Sequence, residues 1–358
     1  MPEITREQVL QQLRTVNDPE LHKDLVTLNM IKDVSVDGTR VRVHVELTTP
    51  ACPLKDQIKG DIEKALKPIG AEAVDVQWSA QVRSSRPAAT QLPGVKNVVA
   101  VGAGKGGVGK STAAVLLAYG LHRCGAKVGL LDADVYGPSI PTMTGVEGAK
   151  PAVQGNMIIP IEAGGVKIMS IGFMVDRNKA LIWRGPMVHG VVKQFLEQVD
   201  WGDLDYLIVD LPPGTGDVPL TLAQSIPMTG SVVICTPQDI ALLDARRAVK
   251  MYEQLNVGCL GIIENMSYYL CPKCGHRDEL FDHGGARRAA EELAVPFLGE
   301  IPLNVNIRVH GDSGTPEKIF TDSADYVRQA VDRVVANTAG QISIRSRLQI
   351  AAPTLSIE

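Results

Sequence analysis

The segment GAGKGGVGKST at residues 102–112 decides the fold of this chain. Its part 104–111 fits the pattern G-x-x-x-x-G-K-[ST], in which glycines let successive backbone N–H groups turn inward around a phosphate chain. Lys110 can reach the β- and γ-phosphates of a nucleotide, and the hydroxyl of Ser111 suits Mg²⁺. A short apolar run precedes the segment and an apolar, helix-like stretch follows it. The strand–loop–helix setting that a phosphate-binding loop requires is therefore present.

Beyond this loop, short runs rich in valine and isoleucine alternate with helix-like stretches. The strand-like runs are 98–101, 128–131, 166–171, 206–209, 232–235 and 259–263. The helix-like stretches are 111–123, 186–199, 219–225, 241–255 and 284–293. Nearly continuous apolar strands that alternate with helices indicate a mostly parallel sheet covered on both faces. The sequence therefore predicts an α/β fold of the P-loop NTPase type over residues 97–336.

The first 82 residues have a different pattern, which predicts a small α+β domain. Its predicted elements are a helix at 4–14, a hairpin of strands at 30–36 and 40–47, a helix at 54–66 and a strand at 73–78. The Asp37-Gly38 pair between the first two strands is typical of a hairpin turn. Residues 83–96 are rich in Ser, Pro and Ala without periodicity and predict a linker. Residues 337–358 predict a tail that is partly ordered at best.

Composition excludes several classes of protein. The chain has 358 residues, and its net charge of −4 argues against a protein whose main role is to coat nucleic acid. The N-terminus lacks an apolar signal core, and the longest apolar runs are far shorter than a membrane span. The six cysteines are too sparse and irregular for a disulfide framework. We expect a cytoplasmic protein with reduced thiols that binds neither nucleic acid nor membrane.

Acidic side chains follow two of the predicted strands. Asp132 and Asp134 end one apolar run, and Asp210 ends another. Because ligands of α/β folds sit at the carboxyl ends of the strands, these carboxylates are predicted beside the nucleotide. One carboxylate can hold Mg²⁺ through water and another can orient the attacking water. The same residues could instead cap helices or form turns.

Cys271 and Cys274 form a C-x-x-C turn, which brings two thiolates close enough for one soft metal centre. One pair is half of a set, because tetrahedral zinc or an iron–sulfur cluster takes about four ligands. His276 or His283 could complete a zinc site within one chain, and a redox-active pair is a third reading. The other cysteines of the large domain are interpreted as packing residues: Cys124, Cys235 and Cys259.

Several motifs together resemble one family. The string GKGGVGKST (104–112) resembles the deviant Walker A loop of the SIMIBI-class ATPases, which include MinD, ParA and the nitrogenase iron protein. With LLDADVYGPS (130–139), DYLIVDLPPGTGD (205–217), ENMSY (264–268) and CPKCG (271–275), the large domain resembles the Mrp-type ATP-binding iron–sulfur cluster carriers. One departure is FDHGG (281–285), where relatives more often carry Phe-Gly; it could reshape the loop beside the cluster site without removing a ligand.

The resemblance implies roles for individual residues. It implies an ATP-dependent homodimer, in which Lys105 crosses the interface and contacts the partner's nucleotide. It assigns Asp134 to positioning water, Asp210 to the Walker B position and Asn265 to the adenine base, whose edge an amide can bind. Lys105, Lys110 and Asp134 are then the catalytic set, with Mg²⁺ at Ser111. The predicted nucleotide ligands are Gly104, Lys105, Gly106, Gly107, Val108, Gly109, Lys110, Ser111, Thr112, Asp210 and Asn265.

The implied dimer resolves the shortage of cysteine ligands. Two C-x-x-C pairs that meet on a two-fold axis supply four thiolates, which suits a bridging four-iron four-sulfur cluster. The motifs DPE (18–20) and LTTPACP (47–53) resemble the SufT-type domain of iron–sulfur assembly proteins. Cys52 lies where a strand gives way to a helix, a setting that favours thiolate. It is predicted as a transient cluster or iron ligand, with a buried structural cysteine as the alternative.

We therefore expect an ATPase that gates the transfer of iron–sulfur clusters. Its expected partners are apoprotein clients, cluster-assembly scaffold proteins and a second copy of the chain. The alternative is a positioning ATPase of the MinD and ParA type, with a structural zinc at the C-x-x-C pair. That function needs a basic amphipathic C-terminal helix or a basic DNA-binding face. The tail QISIRSRLQIAAPTLSIE (341–358) has only Arg345 and Arg347 as basic residues, and Pro353 interrupts it.

Overall fold

The computed structural model describes residues 4–19, 21, 23–84, 92–174 and 185–351. The chain divides into two compact units, Met1–Arg83 and Ser84–Glu358. The sequence predicted the end of the small domain at 82. Of the predicted linker 83–96, residues 85–91 lie outside the described part, and its last two residues already belong to a strand that begins at Val95.

The first unit is a three-stranded sheet with helices against it, next to a two-residue strand pair. Its elements are α1 (Arg6–Leu13), β1 (Asn17–Asp18), β2 (Lys23–Asp24), β3 (Ile31–Asp37), β4 (Arg40–Leu47), α2 (Lys55–Leu66) and β5 (Ala73–Ala80). The sheet order is β3-β4-β5; β3 and β4 are antiparallel, and β4 and β5 are parallel. Alternate residues of β4 point into a core with α1 and α2, built around Val9, Val43, Val45, Ile58 and Ile62.

The second unit contains the long sheet. The strands of this unit are β6 (Val95–Gly102), β7 (Val128–Asp132), β8 (Ala152–Gln154), β9 (Met157–Ile159), β10 (Ile161–Ala163), β11 (Val166–Ser170), β12 (Leu204–Asp210), β13 (Gly230–Cys235), β14 (Cys259–Leu270), β15 (Arg277–Asp278) and β16 (Phe297–Leu303). All of them belong to the long sheet except β8 and β9, which pair with each other in a separate antiparallel sheet. Its helices are α3 (Lys110–Arg123), α4 (Ile140–Met143), α5 (Gly185–Glu197), α6 (Asp217–Ser225), α7 (Asp239–Gln254), α8 (Gly285–Glu292), α9 (Val305–Asp312), α10 (Ile319–Asp322) and α11 (Asp325–Ala351).

The predicted parallel sheet is confirmed. Strands β11-β7-β12-β6-β13-β14 run parallel in that order, β16 adds to β14, and the antiparallel strands β10 and β15 flank the set. One face packs on α5 to α8 through an apolar cluster that includes Val98, Leu207, Phe195 and Val249. Helices α3 and α11 pack against each other: a Cβ on Gly120 of α3 would meet the Val335 side chain of α11 at 2.4 Å.

The last helix corrects the prediction for the end of the chain. Residues 337–351, predicted as part of a tail that is partly ordered at best, continue α11 without a break. Ala339, Ile342 and Ser346 are buried, and the Ser346 hydroxyl donates to Asn97 Oδ1 of β6 at 2.9 Å. The boundary predicted at 336 therefore falls inside a helix of the large unit. Within the described ranges, no helix combines the length and apolar character that crossing a membrane requires.

Candidate nucleotide and metal site

The phosphate loop lies between the end of β6 and the start of α3, as the sequence predicted. A Cβ on Gly104 would stand 2.1 Å from the backbone oxygen of Asp244, so the loop passes too close to α7 for any side chain. Gly109 has φ +79°, and a Cβ there would stand 2.1 Å from Asn265 Nδ2. Both glycines are therefore required by close approach, and Gly109 also by its left-handed backbone.

Lys110 is buried and contacts the predicted acidic residues. Its ammonium group donates to Asp210 Oδ1 and lies 3.3 Å from Asp134 Oδ2. It also donates to Ser111 Oγ at 3.3 Å. Asp210 is fully buried at the end of β12, and Asp134 is buried just beyond β7. The loop lysine and the two carboxylates predicted from separate motifs thus form one cluster.

The cluster fits a divalent cation. Burial raises the pKa of Asp210, whereas the ammonium of Lys110 acts against that rise. The second oxygen of Asp210, Oδ2, is buried and accepts no hydrogen bond from the described residues. Because a buried carboxylate oxygen without a donor is costly, it needs water or a cation beside it. Asp210 and the Ser111 hydroxyl are hard oxygen donors of the type that Mg²⁺ prefers.

Asp132 accepts hydrogen bonds from its own chain and supports Asp134. Its carboxylate accepts hydrogen bonds from the backbone N–H of Asp134 at 3.1 Å, from that of Ile140 at 3.3 Å and from Ser170 Oγ at 2.8 Å. Burial raises the pKa of Asp132 to about 8, and the negative charge of nearby Asp210 adds to that rise. Asp132 therefore holds the loop that carries Asp134.

An open cavity of about 850 Å³ lies over the phosphate loop, within the range of nucleotide-sized pockets. It is lined by Lys105, Lys110, Asp134 and Asn265, and the Asn265 amide donates to the backbone oxygen of Val108 at 2.8 Å. Its far wall comes from the end of β16, at Pro302 and Leu303, and from α9. The part of this wall that the sequence did not predict is formed by Asn304, Ile307, Arg308, Gly311 and Asp312.

Lys105 differs from Lys110. It lines the same cavity and is half-buried, and it forms no ion pair with any residue of the described ranges. The two lysines of the loop are therefore chemically distinct: one neutralises buried carboxylates of its own chain, and the other leaves its charge available.

The C-x-x-C pair forms the turn that joins β14 to the short strand β15. The Gly275 N–H donates to the Cys271 carbonyl, and the Cys271 N–H donates to the His276 carbonyl, both at 2.9 Å. Backbone N–H groups of Cys274 and Lys273 point at the Cys271 sulfur and lower the pKa of that thiol. Cys274 is exposed and Cys271 is half-buried. A turn that favours thiolate and faces solvent is suited to binding a soft metal centre.

In the part of the chain that the structure describes, no further ligand joins Cys271 and Cys274. Among the described residues, no three His, Cys, Asp or Glu side chains converge as a metal site. His283 faces elsewhere: its Nε2 lies 3.2 Å from Glu300 Oε2 and its Nδ1 lies 3.7 Å from Glu279 Oε1. The geometry therefore does not favour the zinc reading that used His276 or His283.

The remaining cysteines are thiols. Burial raises the pKa of Cys235 to about 12 and that of Cys259 to about 11, as expected for packing residues. Cys124 caps the C-terminus of α3. In the first unit, Cys52 is half-buried against the apolar core and precedes α2, which begins at Lys55.

Comparisons with known proteins match both units. A family model described as "NUBPL iron-transfer P-loop NTPase" matches residues 94–339, and one described as "Iron-sulfur cluster assembly protein" matches residues 6–78. An "Iron-sulfur cluster carrier protein" of Synechocystis is 48% identical over 349 residues, which are 95% of this chain and 99% of that protein. The protein of the same name from Escherichia coli K12 is 43% identical, over 96% of this chain and 97% of its own length.

Solved structures agree with the fold. A nucleotide-binding protein from Archaeoglobus fulgidus in complex with ADP is 40% identical, with a TM-score of 0.58, over 65% of this chain and 90% of its own. The cell division ATPase MinD of Pyrococcus furiosus shares the fold at 19% identity, with a TM-score of 0.51 over 67% of this chain and 97% of its own. Because the family model covers more than half of the chain and the relatives match along nearly their whole length, this chain belongs to the NUBPL-type iron-transfer P-loop NTPase family.

Proposed function

We propose that this protein carries iron–sulfur clusters and transfers them to apoproteins, and that ATP binding and hydrolysis gate the transfer. The observation that carries the proposal is the solvent-facing turn in which Cys271 and Cys274 lie three residues apart, which offers two sulfur ligands to a cargo that takes four. The names of the relatives, iron–sulfur cluster carriers, support the cargo.

A second copy of the chain supplies the missing ligands in this proposal. Two C-x-x-C turns that meet on a two-fold axis present four thiolates to one four-iron four-sulfur cluster. Such a cluster is exposed and held by two turns, so it is more easily released than one enclosed in a single chain. The resemblance that places Lys105 across an interface supports the same dimer.

The nucleotide site supplies the gate. Bound ATP would be held by the loop backbone and Lys110, with Asn265 against the base, and Asp210 and Ser111 would hold its Mg²⁺. The ion neutralises charge on the phosphates. Asp134, held by Asp132, orients water for hydrolysis, and Lys105 of one protomer contacts the nucleotide of the other.

Strand β14 connects the nucleotide site to the C-x-x-C turn. Asn265 and Cys271 lie six residues apart on and just after β14, about 20 Å along an extended chain. Between them Met266 has φ +55°, and the pairing of β14 with β16 shifts register between Asn265 and Tyr269. A strand with such an irregularity has a point at which a change at the nucleotide can alter the turn.

Anaerobic reconstitution with iron and sulfide tests the proposal. We expect about two irons per chain, a visible charge-transfer band and a dimer in solution. Cys271→Ser and Cys274→Ser should each abolish the band, whereas Cys124→Ser in the same unit should retain it. Full cluster occupancy in either C-x-x-C variant, or zinc in place of iron after anaerobic purification, would overturn the proposal. Cys52→Ser should keep the band and slow transfer to an apoprotein if Cys52 is a transient ligand.

A further inference from the structure

A second cavity, of about 380 Å³, lies in the same unit away from the phosphate loop. It is formed by β14, β16, α8 and the first turns of α11, and we call it the arginine cavity. The residues on which the argument depends are Tyr268, Arg287, Phe297, Glu300, Tyr326 and Arg333. Three aromatic rings and two guanidinium groups in one cavity are a combination that suits an organic anion.

The charges in the arginine cavity do not balance. Glu300 is engaged by His283, at 3.2 Å, and by Arg287, at 3.7 Å. Arg333 forms no ion pair with any residue in the described part of the chain. Burial raises the pKa of the Tyr268 phenol, and the positive charges of Arg277 and Arg333 act against that rise. Arg333, which is exposed to solvent, is therefore a cationic side chain of the cavity that no carboxylate of the described residues neutralises.

The walls of the cavity select the kind of anion. The Tyr268 and Tyr326 rings have centroids 6.5 Å apart, and the Arg287 guanidinium stacks on Phe297 at 4.4 Å. An inorganic anion would leave these rings facing water, whereas an organic acid can pack its carbon skeleton on them. A guanidinium binds a carboxylate through two parallel hydrogen bonds.

We propose that the arginine cavity binds an organic carboxylate, with Arg333 as its principal charged contact, Arg287 beside it and the aromatic rings against its carbon skeleton. The same chemistry can come from a free organic acid or from a carboxylate carried by a peptide. Tyr268 precedes Cys271 by three residues, and Arg277, which follows Cys274 by three, stacks on the Tyr268 ring at 4.1 Å. An occupant of this cavity would therefore contact the base of the C-x-x-C turn.

Isothermal titration calorimetry of the full chain tests this binding without iron or nucleotide. The probes are 3-phenylpropionate, the tripeptide Gly-Gly-Phe with a free C-terminal carboxylate, the uncharged 3-phenylpropionamide, and inorganic phosphate. We expect one or both carboxylates to bind with millimolar or better affinity, and Arg333→Gln to weaken that binding about tenfold or more, the usual effect of losing a charge-assisted hydrogen bond.

Arg328→Gln is the matched control, because Arg328 lies on the same helix, pairs with Asp325 and does not line the cavity. It should leave the affinity unchanged. Binding of the free acid alone supports a small-molecule site, and binding of the peptide alone supports a protein partner. The proposal would be overturned by equal affinity for the amide or for phosphate, by no carboxylate binding at about 10 mM, or by an unchanged affinity in Arg333→Gln. None of these results depends on whether the protein carries a cluster.

Discussion

At the scale of the residue, Lys110 neutralises buried charge in its own chain before any nucleotide arrives. It lies between Asp210 and Asp134, and all three side chains are nearly inaccessible to solvent. Lys110→Met should therefore abolish nucleotide binding and also lower the free energy of unfolding of the nucleotide-free protein by about 3–5 kcal/mol at pH 7. Urea unfolding followed by circular dichroism measures this loss.

Lys105→Met is the control for that measurement. The two lysines share one loop, but Lys105 has no ion-pair partner among the described residues, so its removal should change the unfolding free energy by less than about 0.5 kcal/mol. Equal losses in the two variants would contradict the charge-neutralising role assigned to Lys110.

A second prediction at this scale concerns the backbone conformation of Asp282. It has φ +73°, in the left-handed region that glycine adopts without strain. Its side chain compensates in part by accepting the His283 N–H at 2.7 Å. Asp282→Gly should raise the unfolding free energy by up to about 1 kcal/mol, and Asp282→Ala should lower it by about 1 kcal/mol. A gain in stability for the alanine variant would disprove the strain, and thermal unfolding of both variants decides it.

At the scale of the element, a buried carboxylate fixes the N-terminus of α8 to β14. Glu264 is fully buried and accepts hydrogen bonds from the backbone N–H of Gly284 at 3.1 Å and of Ala286 at 2.8 Å, and from Ser267 Oγ at 2.6 Å. Glu264→Gln replaces one acceptor oxygen with an amide donor that faces another donor. It should lower the unfolding free energy by about 1–3 kcal/mol.

Hydrogen exchange locates the effect of this change. Amide protection should fall first at 284–288, because the Glu264 carboxylate accepts from that end of α8. Glu292→Gln, at the exposed C-terminal end of the same helix, should change stability by less than about 0.5 kcal/mol. If Glu264→Gln left the exchange of α8 unchanged, the carboxylate would not be what holds that helix in place.

The elements also show what sequence could and could not predict. The parallel sheet could be predicted because strands that are buried on both faces consist almost entirely of apolar residues, and such runs stand out in a sequence. Helix α11 escaped prediction because β-branched residues such as Val327, Val331 and Ile342 are weak helix formers. Its buried Ser and Thr residues also interrupt the apolar pattern from which a buried helix is predicted. In the structure these residues can be buried because their hydroxyls find partners, as the Thr338 hydroxyl does by donating to the backbone oxygen of Val334 at 2.7 Å.

The residues of the candidate site also divide into those that the sequence could predict and those that it could not. The loop, Asp134, Asp210 and Asn265 were predictable because each ends a strand or lies in a motif with a physical requirement. The cavity wall from α9 was not, since Asn304 and Arg308 are ordinary surface residues until the fold brings them opposite the phosphate loop. The clamping role of Asp132 likewise depends on Ile140 and Ser170, which are distant in sequence.

At the scale of the whole molecule, the large unit has two features that point outside a single chain. Among the described residues, Lys105 forms no ion pair, and no third metal-binding side chain joins Cys271 and Cys274. The proposed two-fold dimer would complete both with one symmetry operation, since it would place the two C-x-x-C turns together and each Lys105 at the partner's nucleotide. If Lys105 acts on the partner's nucleotide, a protomer that lacks Lys105 impairs the nucleotide site of its partner. A protomer that lacks Lys110 impairs its own nucleotide site.

Mixed dimers test that arrangement. Homodimers of Lys110→Met should not bind nucleotide, and homodimers of Lys105→Met should bind it without hydrolysing it. In a mixed dimer, the Lys105→Met protomer keeps an intact Lys110 and receives Lys105 from its partner, so one site is complete. Mixing the two inactive variants after dissociation should restore about a quarter of the wild-type ATPase rate, since half of the dimers are mixed and half of their sites are complete. The double variant Lys105→Met/Lys110→Met is the control: mixed with either single variant, it should restore no activity, because no site then has both its own Lys110 and the partner's Lys105. Mass spectrometry verifies that mixed dimers have formed. If the mixture is inactive although mixed dimers are present, Lys105 acts within its own chain. The cysteines would then be the remaining support for a site shared across the two-fold axis.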